Sequence, residues 1–330
     1  MKTTDRVTGA DVALAAGVSR ATVSYVLNDT AGQSIPEETR SRVKAAAERL
    51  GYVPHMAGRT LRRGRSDLVV LVLPNWPVGS VVGEMIEQLS AAAADHKHTL
   101  AILRETEGPQ ALASIIRTLA PAALITLDSL AAPIEKAAAA QGIPVVPALY
   151  SVEEPGTDIT MSQRRVGHLQ VQHLAAQGHR KIAILSPADA RITVFADGRR
   201  AGAMEACLEL GLDAPLYEVL PLDLTSLRDT AVTWKQAGIT AVCAYNDEWA
   251  MGLLSGMHSA GLIAPRDLAV IGCDDVPTAP VASPPLTTIR QNMNLYAAQT
   301  MDFVAQYLGE PVEPRRLDST MYELVVRESA

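Results

Sequence analysis

Several apolar runs in this sequence end in polar side chains suited to holding a small molecule. Tyr245-Asn246-Asp247 follows the run Ile239–Ala244, and Gly272-Cys273-Asp274-Asp275 follows Leu268–Ile271. Pro74-Asn75-Trp76-Pro77 follows Leu68–Leu73, and Arg199 opens a helical pattern after a loop. An arginine, a carboxylate, an amide and an indole suit a neutral polyol: bidentate donors, acceptors and a flat apolar face. Plainer roles are open to the same residues. Asn246 can cap the helix it precedes, Asp274 can cap the next turn, and Arg199 can pair with a surface acid. Bond-breaking chemistry has less support. There is no G-x-S-x-G, no phosphate-binding P-loop and no H-E-x-x-H. The seven histidines are scattered. His96 and His98, two apart on a helix, would point in different directions, which argues against a metal site. Asp274 and Asp275 are adjacent and cannot both face one bond from the same strand end. The expectation is a protein without catalysis, cofactor or metal.

A second polar set lies near the start of the chain. Thr8 with Asp11 three residues later reads as a capping box for a short helix, Asp11 to Ala15, which Gly17 then breaks. Ser19 caps a second helix, Arg20 to Leu27. Val23 and Val26/Leu27 share one face of it, leaving Arg20, Thr22, Ser24 and Tyr25 for solvent or a partner. A third helix runs from about Pro36 to Leu50, with Val43, Ala47 and Leu50 as its stripe. Two short helices joined by a glycine turn make a helix-turn-helix, whose second helix fits a DNA major groove. Charge agrees. The chain carries −7 overall, but residues 1–66 hold 11 Lys/Arg against 6 Asp/Glu, and the rest hold 18 against 30. A basic head on an acidic body suits local phosphate contacts.

These polar sets must be positioned by the elements around them. At 330 residues and 48% hydrophobic, the chain is long enough for two or three cores. From Asp67 onward, buried-strand runs (Leu68–Leu73, Thr99–Leu103, Ala122–Leu127, Pro144–Ala148, Lys181–Leu185, Ile239–Ala244, Leu268–Gly272) alternate with helical patterns such as Gly83–His96, Gly167–Gln177, Arg199–Leu210 and Trp249–Ala260. Repeated βα units imply parallel sheets covered on both faces, with ligands at the carboxyl ends of the strands. The polar start, Met1 to Asp11, has no apolar run for export, and no stretch approaches the ~20 apolar residues of a membrane span. Cys207, Cys243 and Cys273 are far apart in sequence. A cytoplasmic protein with reduced thiols is expected.

Val7-Thr8-Gly9-Ala10-Asp11-Val12-Ala13, followed by the stretch Ala16 to Asn28, closely resembles the head of the lactose/galactose-repressor (LacI/GalR) family. The resemblance continues through Glu38-Thr39-Arg40, Val43, Leu50-Gly51-Tyr52, Pro54 and Arg59-Thr60-Leu61, and closes at Glu323 to Ser329. It implies an all-α helix-turn-helix head and an α/β two-lobed, periplasmic-binding-protein-like core with parallel sheets. Residues 1–53 would be the DNA-binding domain, 54–66 a hinge helix or linker, and 67–330 the effector-binding and dimerisation domain. Lobe one would take about 67–160 and 291–318, and lobe two about 161–290 and 319–330.

By the same resemblance, Arg20, Ala21 and Tyr25 contact bases, and Thr8, Ser19, Thr22, Ser24 and Asn28 contact phosphates. Arg59 and Leu61 fall in a hinge helix that enters the minor groove, with Leu61 as the wedge. Asn75, Trp76, Arg199, Asn246 and Asp274 line the effector site. Two departures from the family pattern stand out. Gly58 replaces an alanine, costing about 1 kcal/mol of hinge-helix propensity. Ser162-Gln163 replace an Asp-Asn pair, removing an acceptor at the lobe crossover. The expected protein is a homodimeric repressor of near-palindromic double-stranded operator DNA, controlled by a carbohydrate effector, with induction the sense the resemblance favours. The alternative is a soluble sugar-binding protein without regulatory DNA binding.

Overall fold

Thr8 and Asp11 close the first helix, α1 (Gly9–Ala16), at its start: the Asp11 carboxylate accepts the Thr8 backbone N–H at 2.8 Å and the Thr8 hydroxyl at 2.7 Å. The computed structural model describes residues 7–27, 34–52, 66–106, 108–148, 162–312 and 321–330. The chain divides into two compact units, Met1–Asp67 and Leu68–Ala330. In the first unit Gly17 turns the chain at φ +65°, a conformation that costs a residue with a Cβ about 1–2 kcal/mol. The Ser19 Oγ then accepts the Thr22 N–H at 3.0 Å and starts α2 (Arg20–Leu27). Helix α3 (Glu37–Leu50) packs across both, and Val12, Val23, Val26 and Val43 meet in one small buried core.

The second unit holds two sheets. The first is all parallel, in the order β2 (Thr99–Arg104), β1 (Leu68–Leu73), β3 (Ala123–Thr126), β4 (Val145–Pro147). Strand β1 is buried along its whole length, as a continuous apolar run requires when both faces are covered. Helices α4 (Ser80–Asp95), α5 (Pro109–Leu119) and α6 (Ala132–Ala140) connect these strands.

The second sheet has six strands. Its order is β10 (Tyr322–Val325), β9 (Thr287–Gln291), β8 (Ala269–Cys273), β7 (Ala241–Ala244), β5 (Ile182–Pro187), β6 (Leu216–Leu220). All its pairings are parallel except β9 with β10. Helices α7 (Gln163–Ala176), α8 (Thr193–Glu209), α9 (Leu224–Gln236) and α10 (Asp247–Ser259) serve this sheet. The chain then leaves β9 for α11 (Met293–Tyr307), whose Met293, Tyr296, Met301 and Val304 enter the core of the first sheet with Val69 and Leu71. It returns to the second sheet with β10.

The differences from the expected elements have physical causes. Helices α4, α7, α8 and α10 begin two to six residues before the expected starts: α7 and α10 open on polar residues, and the adjacent pairs Val81-Val82 of α4 and Val194-Phe195 of α8 do not by themselves set a helical stripe. Arg199 therefore lies inside α8 rather than at its start. Strand β6 is an addition to the expected set: its side chains are mostly exposed at a sheet edge, so no buried run marks it. His96 and His98 lie in the turn between α4 and β2, and each pairs with a carboxylate, Asp302 at 3.3 Å and Glu310 at 3.2 Å.

Helices α7 and α8 approach so closely that a Cβ on Gly202 would drive into the Arg164 carbonyl. This contact sets Gln163 beside Arg199. Gly202→Ala is expected to destabilise the second unit by about 1–3 kcal/mol or more, through backbone displacement that no rotamer can relieve. Urea unfolding of the variant checks this, and an unchanged midpoint would refute the close packing.

Candidate functional site

In the first unit, Arg20 and Ala21 stand exposed on α2, and Thr22, Ser24 and Tyr25 on the same helix are half-buried. Ser19 is exposed and shares a 2.9 Å hydroxyl contact with Thr22 while capping the helix. Thr8 is exposed, with its hydroxyl donated to Asp11. Asn28, Gly58, Arg59 and Leu61 lie outside the described residues.

In the second unit a cavity of about 220 Å³ opens between the two sheets. One wall is the segment Trp76–Met85 of the first lobe, and the other carries Arg199, Tyr245, Asn246 and Asp274 of the second. Four of the residues proposed from sequence meet here: Trp76, Arg199, Asn246 and Asp274. Asn75 does not join them, because the turn after β1 leaves it exposed and outside the cavity lining.

The floor of the cavity is a ring of buried polar side chains. Arg199 donates through Nε to Gln163 Oε1 at 2.7 Å and through Nη1 to the Tyr245 carbonyl, and its Nη2 lies 3.6 Å from Asp274 Oδ1. Gln163 Nε2 donates to Gln291 Oε1 at 3.5 Å, and Gln291 Nε2 donates to Asp274 Oδ1 at 2.8 Å, which closes the ring. The Arg199 guanidinium also lies 4.6 Å above the Tyr245 ring, within cation–π range. Burial pushes the Asp274 carboxyl above its usual range, with the Arg199 charge the chief opposing influence. The expected loss of an acceptor at Ser162-Gln163 is made good by the Gln163 amide oxygen.

Asn246 plays the plainer of its two possible roles: its Oδ1 caps α10 by accepting the Trp249 N–H at 3.1 Å. It still lines the cavity. Trp76 meets Phe195 of α8 edge-on, with centroids 4.7 Å apart. Gln291 ends β9, so the strand-end reasoning that selects Asp274 applies to it equally. Asp247 reads in sequence as an ordinary first-turn acid, but it is fully buried. It accepts the Thr288 hydroxyl at 2.6 Å and the Val276 N–H at 2.9 Å. These bonds hold the turn after β8, where Asp274 (φ +111°) and Asp275 (φ +53°) occupy left-handed backbone that costs about 1–3 kcal/mol per residue. Asp275 turns away to Arg290 and Arg327, each at 2.6 Å. Among the described residues, no group of three His, Cys, Asp or Glu could hold a metal ion, and no helix is long and apolar enough to cross a membrane.

A helix-turn-helix and a two-lobed α/β body with a polar cleft, carried by one chain, define a DNA-binding transcription regulator controlled by a small-molecule effector. Residues 9–55 match the lacI family of bacterial regulatory proteins, and residues 171–330 match a periplasmic binding protein-like domain. The chain thus carries a head similar to the lacI family and a body similar to periplasmic binding proteins. It is 29% identical to the HTH-type transcriptional repressor PurR of Photobacterium profundum, over 97% of each chain. It is also 29% identical to PurR of Vibrio campbellii, again over 97% of each. Among solved structures it resembles the Lac repressor bound to ONPG in the repressed state, at 25% identity over 99% of this chain and 100% of that one, with a TM-score of 0.78. The transcriptional regulator CelR in complex with cellobiose matches at 25% identity over 98% of this chain and 100% of that one, with a TM-score of 0.65.

Burial raises Asp247 from 3.8 to about 7, against the hydrogen bonds from Thr288 and Val276. Between those values the folded chain keeps a proton that the unfolded chain releases. Stability from this group is therefore lost as pH rises through that window, by at most about 4 kcal/mol. Urea unfolding near pH 5 and pH 8 should show a smaller loss between the two for Asp247→Asn than for the parent. An equal loss in both would remove Asp247 as the cause.

Proposed function

We propose that the chain is a homodimeric, non-catalytic repressor acting in the cytoplasm, and that a small polar ring compound, a carbohydrate first of all, sets its affinity for a near-palindromic operator. Residues 1–53 read DNA, 54–66 form the hinge, and 67–330 bind effector and the second copy. The observation that carries the reading is the buried Arg199–Asp274 pair on the floor of the cleft, in a chain whose head matches a DNA-binding family. The complexes of CelR with cellobiose and of the Lac repressor with ONPG support a carbohydrate-like effector for this chain.

The ring also supports a route from ligand to lobe angle. Gln163 is the first residue of α7, just after the chain enters the second lobe, and Gln291 is the last of β9, just before it leaves. A hydroxylated ligand that takes or gives hydrogen bonds at Arg199 or Asp274 changes what these two amides hold. It thereby shifts the population of lobe angles. Association of two copies is supported by exposed apolar side chains concentrated between residues 204 and 224, among them Met204, Leu208, Leu216, Val219, Leu222 and Leu224. Two copies present two heads to two half-sites, as a near-palindrome requires.

In the head, Arg20 and Tyr25 reach base edges, Ala21 leaves room for or touches a thymine methyl, and Thr8, Ser19, Thr22, Ser24 and Asn28 set the register on phosphates. Arg59 and Leu61 act at the minor groove. In the cleft, Arg199, Asp274, Asn246 and Trp76 hold the effector.

Selection of bound duplexes from a random pool, with and without a panel of sugars and nucleosides, tests the whole reading. Enrichment of one near-palindrome, lost or sharpened by one compound, is expected. No enrichment at low salt under any condition would leave a sugar-binding protein without regulatory DNA binding. On the selected duplex, Arg20→Ala should cost about 1–3 kcal/mol at one base position and relax the preference there. Uniform weakening across sequences would move Arg20 to a phosphate.

A further inference from the structure

The two walls of the cleft are chemically unlike. Every charged or amide side chain that lines it belongs to the second lobe, with Arg199, Asp274, Gln163 and Gln291 joined in the ring on its floor. The first lobe contributes Trp76, Pro77, Val81, Val82 and Met85, and its polar side-chain groups in the lining are only the Ser80 hydroxyl and the Trp76 indole N–H. Phe195 of α8 continues this apolar wall: it meets Trp76 edge-on and packs with it against the core of the first lobe.

Many of the second-lobe groups already answer one another. Arg199 gives Nε to Gln163 and Nη1 to the Tyr245 carbonyl, and Gln163 and Gln291 share a bond. Asn246 has spent its Oδ1 on the cap of α10, and Arg191 grips the Asp189 carboxylate through Nε and Nη2. A free hexose or pentose carries hydroxyls around its whole rim. Those that turn to the first-lobe wall give up water and find one hydroxyl and one indole N–H in return, and a buried hydroxyl without a partner weakens binding. A compound whose hydroxyls are gathered at one end, with a flat apolar ring at the other, satisfies both walls at once.

The apolar end is best filled by an aromatic ring. The chain has only two phenylalanines and three tryptophans, and three of these five, Trp76, Phe195 and Trp249, line this one cavity. They already pack edge-to-face, Trp76 with Phe195 at 4.7 Å and Trp249 with Tyr245 at 5.9 Å, an arrangement that a further flat ring extends. We infer that the effector is a sugar joined to an aromatic ring. Its hydroxylated part lies on the Arg199–Asp274 floor, and its aromatic part lies against Trp76, Val81, Val82 and Phe195. The inference rests on the cleft being the effector site. Aryl glycosides and nucleosides share this chemistry.

Calorimetric titration of the full chain separates the two sources. One arm sets methyl against phenyl β-glucoside, a second sets methyl against phenyl β-galactoside, and a third sets ribose against adenosine and uridine. In at least one arm the aromatic member is expected to bind at least about tenfold tighter than its partner, a gap of about 1.4 kcal/mol. Its binding should also carry the more negative heat-capacity change that buried apolar surface gives. In the double variant Val81→Thr, Val82→Thr, which keeps the shape of the wall and adds two hydroxyls, that ratio should fall by at least about threefold. If a sugar binds and its aromatic partner falls short of the tenfold margin in every arm, the inference is overturned and the effector site stands. Tighter binding without the heat-capacity change, or an unchanged ratio in the double variant, places the aromatic ring away from this wall and overturns it too. Silence from every compound counts against the cleft as a carbohydrate site and takes the inference down with the reading it rests on.

Discussion

An arginine and an aspartate cannot be taken out of water together unless nearly every donor and acceptor they carry is answered, and the second unit is arranged around meeting that demand for Arg199 and Asp274. The answers come from parts of the chain far apart in sequence. One amide, Gln163, stands where the chain enters the lobe, and the other, Gln291, stands where it leaves. The close approach of α7 to α8 brings Gln163 within reach of Arg199. The left-handed turn after β8 aims Asp274, and Asp247 pins that turn from behind through Val276 and Thr288. Removing any one of these partners leaves a buried charge short of a hydrogen bond, which costs more than the bond itself contributes. The site and the lobe junction are therefore the same set of atoms.

What can be read from sequence divides along the range of the interaction. The start of α1 and the turn at Gly17 are legible, because Thr8 with Asp11 and a left-handed glycine act within three or four residues. The strands Leu68–Leu73 and Ala241–Ala244 are legible as apolar runs, since a parallel strand buried on both faces has no polar alternation to blur it. The early turn of α7 is not, because Gln163-Arg164-Arg165 carries nothing apolar, and in α4 and α8 the adjacent pairs Val81-Val82 and Val194-Phe195 show no helical spacing. Arg199 and Asp274 are selected by family resemblance and strand-end position. Gln163 reads only as a departure from the family pattern, and Asp247 passes for a helix-start acid. The partner that explains Asp247, Thr288, lies 41 residues away, a distance that no local pattern spans. Asn75 shows the opposite error: its proximity to Trp76 in sequence does not carry over into the cavity lining.

The contact between Trp76 and Phe195 has a consequence for how the molecule responds to temperature. Both rings line the cavity, one from each lobe. Any opening of the cleft that parts them must hydrate two aromatic surfaces, and hydrating apolar surface raises heat capacity. The balance between open and closed forms then traces a curve in temperature rather than a straight van't Hoff line, with enthalpy and entropy of opening that change steadily along it. A chain built to report a molecule in its cleft thus carries, through one edge-to-face aromatic pair, a built-in sensitivity to warmth that no change in ligand concentration is needed to evoke.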